Sequence, residues 1–403
     1  MTRPSTLPFE EHYVAAVHGL QDGLDALLRS VGADPGQPQE VARQLGLHRN
    51  LTWKVSRLVR AEDPFSIYPQ IPGESGMRIL LEALAKARAD GAAIDRVKAA
   101  VLEFERMLEI HAGDRTSLEL MLDSMASDTT TEPLETSRKL AFRGNSGILG
   151  IQAKVRLRTM ILASSRKDES LTDVAQITGL LGLRRLRADA AMPLFERMYY
   201  KDDGSPMPQH LQMNLEDPPA DDPQSLLMPT YCTSPMPPIR TTETERSVLY
   251  ELGAGPVGNR GTSNLVFGHA SLAVAPRFAR EPGEHCECGT DIHAPVEHLL
   301  VDVLIHRDLV SDPKFDVQVL RGDVHAYVGG RSSPLPCPET LRDLGHRRLR
   351  LATPHFPEYP DLVIRAMRTL GRAKDEFQGV RFEMTYPPTP SFVLLRYPLP
   401  TAP

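Results

Sequence analysis

The sequence predicts a multidomain chain with an all-α N-terminal part, a helical middle and an α+β C-terminal domain. Three observations carry this. A chain of 403 residues exceeds what one compact core ordinarily holds. Apolar residues recur at a helical period through the early chain, whereas past Leu140 an alternation of period two takes over. Nine of the 35 prolines fall between Asp202 and Arg240, which marks residues 202–240 as an irregular segment rather than a helix or inner strand. The expected boundaries are 1–74, 75–130 and 131–403.

Composition narrows the class. Apolar residues make up 41% and charged residues 24%, as in a folded globular protein rather than a disordered one. No run of about 18 apolar residues occurs, and the N-terminus lacks a signal peptide's basic-then-apolar layout, so a cytoplasmic protein with no membrane partner is expected. Of four cysteines only Cys286 and Cys288 lie close together, which suits reduced thiols better than a disulfide framework. The net charge of −6 argues against wholesale binding to polyanions. Locally the balance reverses: Gly36–Arg60 holds Arg43, Arg49, Lys54, Arg57 and Arg60 against Glu40 alone.

In chain order, Val14, Val17, Leu20, Leu24, Leu27, Leu28 and Val31 predict a helix with one buried face over residues 9–31. Pro38 suits the first turn of a second helix, Gly46 ends it, and a longer helix runs to about Arg60. Asp63–Gly76, rich in proline and glycine, reads as a connector. Met77–His111 reads as two helices divided near Asp90-Gly91. In the second, Ile94, Val97, Val101, Phe104 and Leu108 form a short coiled-coil seam, which either joins two copies of the chain or packs within its own domain. Thr116–Met125 is a further short helix, and Ser127–Thr136 a polar loop.

Within the basic island, Ala42 is small, Gly46 follows four residues later, Val41, Leu45 and Leu47 flank it, and Val55 falls inward on the second helix. A small side chain lets two helices approach, and glycine accepts the positive φ of a tight turn. In this pattern Pro38–Arg60 resembles the DNA-binding helix-turn-helix of bacterial transcriptional regulators. Thr52 departs from it, standing where that family usually has an apolar residue, which leaves the register of the second helix open by one residue. The resemblance covers this stretch alone. It implies a helix-turn-helix domain over residues 1–74 whose second helix, starting near His48, enters the major groove of double-stranded DNA. A homodimer would read half-sites about one helical turn apart.

A helical wheel puts Leu51, Val55, Leu58 and Val59 toward the core. Arg49, Asn50, Trp53, Ser56, Arg57 and Arg60 project the other way, and Lys54 joins them as a DNA-binding candidate. Arginine and asparagine can pair bidentately with base edges, and the later arginines suit phosphate. The bland alternative is a helical hairpin with a solvated basic face.

In the C-terminal part, the alternation over residues 151–161 predicts a half-buried strand with Gln152, Lys154, Arg156, Arg158 and Met160 outward. Further strands are expected at Val248–Leu252, Leu265–Val274, Leu299–Arg307, Val317–Val328 and Phe392–Tyr397, and helices at Thr172–Ile177, Leu183–Met198 and Asp361–Arg372. The Ala-to-Gly spacing recurs faintly at Ala175 and Gly179. Gly253–Gly258 matches a dinucleotide-binding G-x-G-x-x-G only formally, since Pro256 and the residues after it do not open a helix. Cys286, Cys288 and His293, with Cys337 or His298 as a fourth ligand, could hold zinc, though C-x-C is not the usual spacing and a polar surface loop is the simpler reading. His298, Asp302 and His306 share one face of a strand and either line a pocket or are satisfied by neighbours.

The function expected is a sequence-specific DNA-binding transcriptional regulator, not an enzyme, with a C-terminal domain that senses a small-molecule effector or a partner. Alternatives are a metal-dependent enzyme or zinc protein built on the Cys286, Cys288 and His293 region, and a protein-interaction module that does not bind DNA.

Overall fold

The computed structural model describes residues 7–126, 131–198, 211–218, 225–244, 247–346 and 348–402. The chain divides into two compact units, Met1–Pro133 and Leu134–Pro403. Of the proline-rich 202–240 segment, residues 202–210 and 219–224 lie outside the described residues.

In the first unit, α1 (Phe9–Ser30), α2 (Pro38–Leu45), α3 (Arg49–Arg60), α4 (Glu74–Lys86), α5 (Gly91–His111) and α6 (Arg115–Ala126) share one hydrophobic core. The backbones of α1 and α5 come close at Gly23, where an added Cβ would stand 3.3 Å from Val97 Cγ2. Leu20, Leu24 and Leu27 then meet Val97, Phe104 and Met107 in a sealed interior. The expected coiled-coil seam is therefore used inside its own unit: Val97, Phe104 and Leu108 are buried, with Ile94 and Val101 packed at the margin.

The second unit is mostly sheet. It begins with α7 (Thr131–Leu149), whose first turn occupies residues expected to be a loop. The strands are β1 (Ile151–Ser164), β2 (Leu171–Arg185), β3 (Met192–Met198), β4 (Gln212–Asn214), β5 (Ile239–Glu243), β6 (Ser247–Leu252), β7 (Ser263–Pro276), β8 (His285–Ile292), β9 (Val296–His306), β10 (Asp316–Arg321), β11 (Arg342–His346), β12 (Phe377–Thr385) and β13 (Ser391–Pro398). Helices α8 (Val324–Val328) and α9 (Tyr359–Thr369) interrupt them. The large sheet runs β11-β12-β9-β1-β2-β7-β4, with β1 and β9 parallel and its other pairs antiparallel. Two three-stranded sheets, β10-β13-β8 and β3-β6-β5, complete the unit.

Each face of the large sheet has its own cover. On one, Val155, Leu157, Ile161, Leu300 and Leu304 pack under Leu362, Val363, Ala366 and Met367 of α9. On the other, Met160, Leu162, Leu299, Val301 and Val303 meet Val393, Leu395 and Tyr397 of the β10-β13-β8 sheet. Farther along that second face, Leu180, Leu265 and Phe267 meet Leu194, Tyr250 and Leu252 of the β3-β6-β5 sheet.

This architecture corrects the expected fold class. The α2–α3 hairpin is not a separate helix-turn-helix domain followed by a helical middle, because its buried residues belong to the same core as α4, α5 and α6. Nor is the C-terminal part the α+β mixture expected: it is mostly sheet, and two of the three segments read as helices are strands, while Asp361–Arg372 largely coincides with α9. Thr172–Ile177 lies in β2, and Leu183–Met198 spans the end of β2 and the whole of β3. Long-range pairing overrides local propensity there: β2 is hydrogen-bonded to β1 on one side and β7 on the other along most of its length. The faint Ala175–Gly179 echo disappears with that correction, since both residues sit in mid-strand. Val317–Val328, expected as one strand, is β10 followed by α8.

Candidate nucleic-acid interface

Helix α3 is held at both ends. Gly46 closes α2 in the left-handed region at φ 63°, where no atom would crowd an added Cβ, so glycine is required there by its backbone alone. His48 then caps α3, its Nδ1 accepting from the Asn50 amide at 3.3 Å. At the far end the Gln21 side chain of α1 donates to the carbonyls of Leu58 and Ala61.

The buried face of α3 consists of Thr52, Val55, Ser56 and Leu58, with Leu51 and Val59 packed at its edge. Thr52 settles the register. Its hydroxyl donates to the Arg49 carbonyl at 3.0 Å, which satisfies the polar group within the helix and leaves its methyl to the core. Ser56, expected among the outward residues, is buried, one turn beyond Thr52 on the inward side.

Arg49, Asn50, Trp53, Lys54, Arg57 and Arg60 are exposed, Trp53 with 44% of its surface open. Among the described residues none of Arg49, Lys54, Arg57 and Arg60 forms an ion pair, whereas Arg43 of α2 reaches Glu40 at 3.6 Å. Arg60 lies in different surroundings from the rest, lining a groove of about 680 Å³ with Asp22, Asp25 and Asp34. Arg49, Lys54 and Arg57, in contrast, neither form an ion pair among the described residues nor line that acidic groove.

The candidates of the second unit do not converge. Cys286 and Cys288 lie on β8, with Cys288 buried in the core beneath the β10-β13-β8 sheet, while His293 stands exposed beyond the strand's end, 3.8 Å from Asp291. The hydrogen bond that the Cys288 thiol donates to Cys286, reinforced by burial, pushes Cys288 well up. Cys337 packs beside Glu339, and burial and that carboxylate push its thiol up to about 11. Among the described residues no three His, Cys, Asp or Glu side chains are arranged to hold a metal ion, so the zinc set Cys286, Cys288 and His293 is not assembled.

His298, Asp302 and His306 do share a face of β9, but each has its own neighbours and the three do not converge on one site, and His306 Nε2 is buried without a hydrogen bond among the described residues. Asp302 receives Arg381 Nε at 2.7 Å, Arg381 NH2 at 2.8 Å and the Tyr359 hydroxyl at 2.6 Å, and all three residues are fully buried. Burial pushes the carboxyl up against the pull of Arg381; burial likewise opposes the guanidinium charge, but Asp302 outweighs it and holds Arg381 protonated. With three donors aimed at one carboxylate, the pair is ionised. His298 stacks on His355 with ring centroids 4.5 Å apart, while His306 pairs with Asp308 at the strand's other end.

The Gly253–Gly258 run is a loop folded around a guanidinium rather than a phosphate. Arg185, almost wholly buried, donates to the Gly253 carbonyl, and a Cβ on Gly255 would meet Arg185 NH1 at 2.8 Å.

Sequence reasoning passed over one cluster. Arg156 and Arg158 were expected outward on β1, yet the Nε of each is sealed from solvent without a hydrogen-bond partner. They lie on the face of the large sheet that the two small sheets cover. The alternation of β1 put them on one face, but no local signal marked that face as covered.

No protein-family model and no curated protein sequence matches the chain. Among solved structures, 61% of it is similar to a protein from Parabacteroides distasonis described as a protease, at 7% identity over 40% of that chain and a TM-score of 0.27. It is also similar over 61% of its length to an M1 zinc metallopeptidase from Deinococcus radiodurans, at 9% identity over 42% of that chain and a TM-score of 0.22. The chain thus spans about two fifths of either structure's length. Likeness at these TM-scores carries no argument about fold or activity.

Proposed function

We propose that the chain binds double-stranded DNA through the exposed N-terminal two-thirds of α3 and acts as a transcriptional regulator, with the second unit serving as its sensor. The observation that carries this reading is the set Arg49, Lys54 and Arg57, exposed on one helix around Trp53 and free of ion pairs among the described residues, in a chain of net charge −6. Unpaired cations on a rigid helix are what phosphate contact and major-groove reading require. Arg60 contributes least, because Asp22, Asp25 and Asp34 beside it repel phosphate.

The test is fluorescence anisotropy of the full chain with DNA from upstream of its own coding region. Binding is expected to weaken steeply with salt and to fall at least about tenfold in an Arg49→Ala, Arg57→Ala double variant. Affinity that is indifferent to salt and to both substitutions would overturn the proposal and favour a protein partner for the same face.

A further inference from the structure

Two arginines two residues apart on β1 enter the same face of the large sheet, in the furrow between its two small covering sheets. On one side stand Met192, Pro193 and Leu194 of β3, and on the other Asp291 and Ile292 at the end of β8; with Arg156 they line a pocket of about 30 Å³. That volume accommodates about two waters, the size of a single charged head group. Neither arginine has an ion pair among the described residues. Arg158 is positioned by neutral groups, donating to Thr178 Oγ1 at 2.7 Å and to Gln176 Oε1. Arg156 makes no side-chain hydrogen bond among the described residues, and its Nε is both sealed and orphaned.

The neighbourhood is short of negative charge. Asp291 is the carboxylate that acts on both guanidinium groups, but one of its oxygens accepts from the Val324 amide at 2.8 Å and the other faces His293. Burial and mutual repulsion push Arg156 down to about 10, and burial pushes Arg158 to about the same value. Arg158 and Arg197 together with burial hold His269 neutral, its pKa pushed down to about 3. Arg156 is half-buried, and its sealed Nε–H carries a desolvation cost that no acceptor among the described residues offsets.

We propose that the furrow at Arg156 and Arg158 is a binding site for a small oxyanion, either free phosphate or the phosphate or carboxylate head of a small metabolite. The planar guanidinium fork matches both groups through paired N–H donors. The site gives the sensor of the proposed regulator its ligand class, and it is tested without reference to DNA.

The experiment is thermal unfolding of the full chain in inorganic phosphate, acetate or chloride at one ionic strength, for the wild type and for Arg156→Gln and Arg158→Gln. The wild type is expected to gain about 2–5 °C in phosphate or acetate over chloride, with saturation. In chloride, Arg156→Gln should melt no lower than the wild type, because it removes an unpaired charge, and it should lose the anion response. Arg158→Gln should weaken that response at least several-fold. An identical anion response in the wild type and Arg156→Gln, or no response in the wild type, would overturn the site. A large drop in Arg156→Gln stability in chloride would also count against it, by giving the arginine a structural role. Anisotropy with DNA on the same samples reads the α3 proposal separately.

Discussion

Gln21 of α1 donates its side-chain amide to the carbonyl of Leu58, 2.8 Å away near the end of α3, and to that of Ala61 at 3.0 Å. Helix ends leave carbonyls unsatisfied, so one buried side chain here both caps α3 and fixes its angle to α1. Replacing it as Gln21→Leu removes both bonds, leaving the Leu58 carbonyl with the Ala61 amide at 3.5 Å and the Ala61 carbonyl without a partner among the described residues. The expected cost is about 1–3 kcal/mol, read as an earlier urea transition in the fluorescence of Trp53, the chain's single tryptophan. DNA affinity should fall although no cation is lost.

The Asp302–Arg381 pair makes the opposite kind of prediction in the second unit. It is fully buried and fully satisfied, with Arg381 also donating to the carbonyls of Leu351 and Ala352. Removing one partner strands the other charge, so Asp302→Leu or Arg381→Met alone should cost about 3–5 kcal/mol, whereas the double variant should recover part of that loss. Hydrogen exchange along β9 and β12 measures it; a double variant as unstable as the sum of the singles would remove the account.

His269 gives the second unit a pH dependence of known sign. Burial, then Arg158 and Arg197, hold its pKa at about 3 in the folded protein, against 6.5 for an ordinary histidine. The unfolded chain therefore takes up a proton that the folded chain refuses. The stability it confers is complete above pH 6.5 and is lost as pH falls from 6.5 toward 3, on the order of 5 kcal/mol in all. His269→Gln should flatten the stability profile over that window and leave the region above it unchanged, as followed by urea midpoints at successive pH values.

What the sequence disclosed follows from which forces are local. The helical period of Val17, Leu20, Leu24 and Leu27 and the glycine turn at Gly46 are local signals, and they place α1 and the α2–α3 turn directly. The identity of β2 is not local. Leu171–Arg185 mixes Ala, Leu and Gln with Thr, Val and Ile, and only its pairing with β1 and β7 decides it. Arg156 and Arg158 were hidden for the same reason. Alternation shows that they share a face of β1, but that the face is covered depends on β3, β8 and their partners, far along the chain. Asp302 read as one of three polar residues, with His298 and His306, on one face of its strand, and its partner Arg381 lies 79 residues away.

Thr52 shows how a departure from a pattern can be neutral. In a helix a threonine hydroxyl can bond back to a carbonyl one turn earlier, and here it reaches Arg49 at 3.0 Å with the residue almost wholly buried. The methyl that remains fills the place of an apolar side chain. Thr52→Val keeps that shape and removes a hydroxyl whose one hydrogen bond among the described residues stays within its own helix, so stability should change by less than about 0.5 kcal/mol or rise. Thr52→Ala should instead lose about 1 kcal/mol, because the methyl is what the core uses. Both are read from the Trp53 transition. If Thr52→Val proved markedly destabilising, the hydroxyl would have a role outside α3, and the inward face of the helix would need to be reassigned.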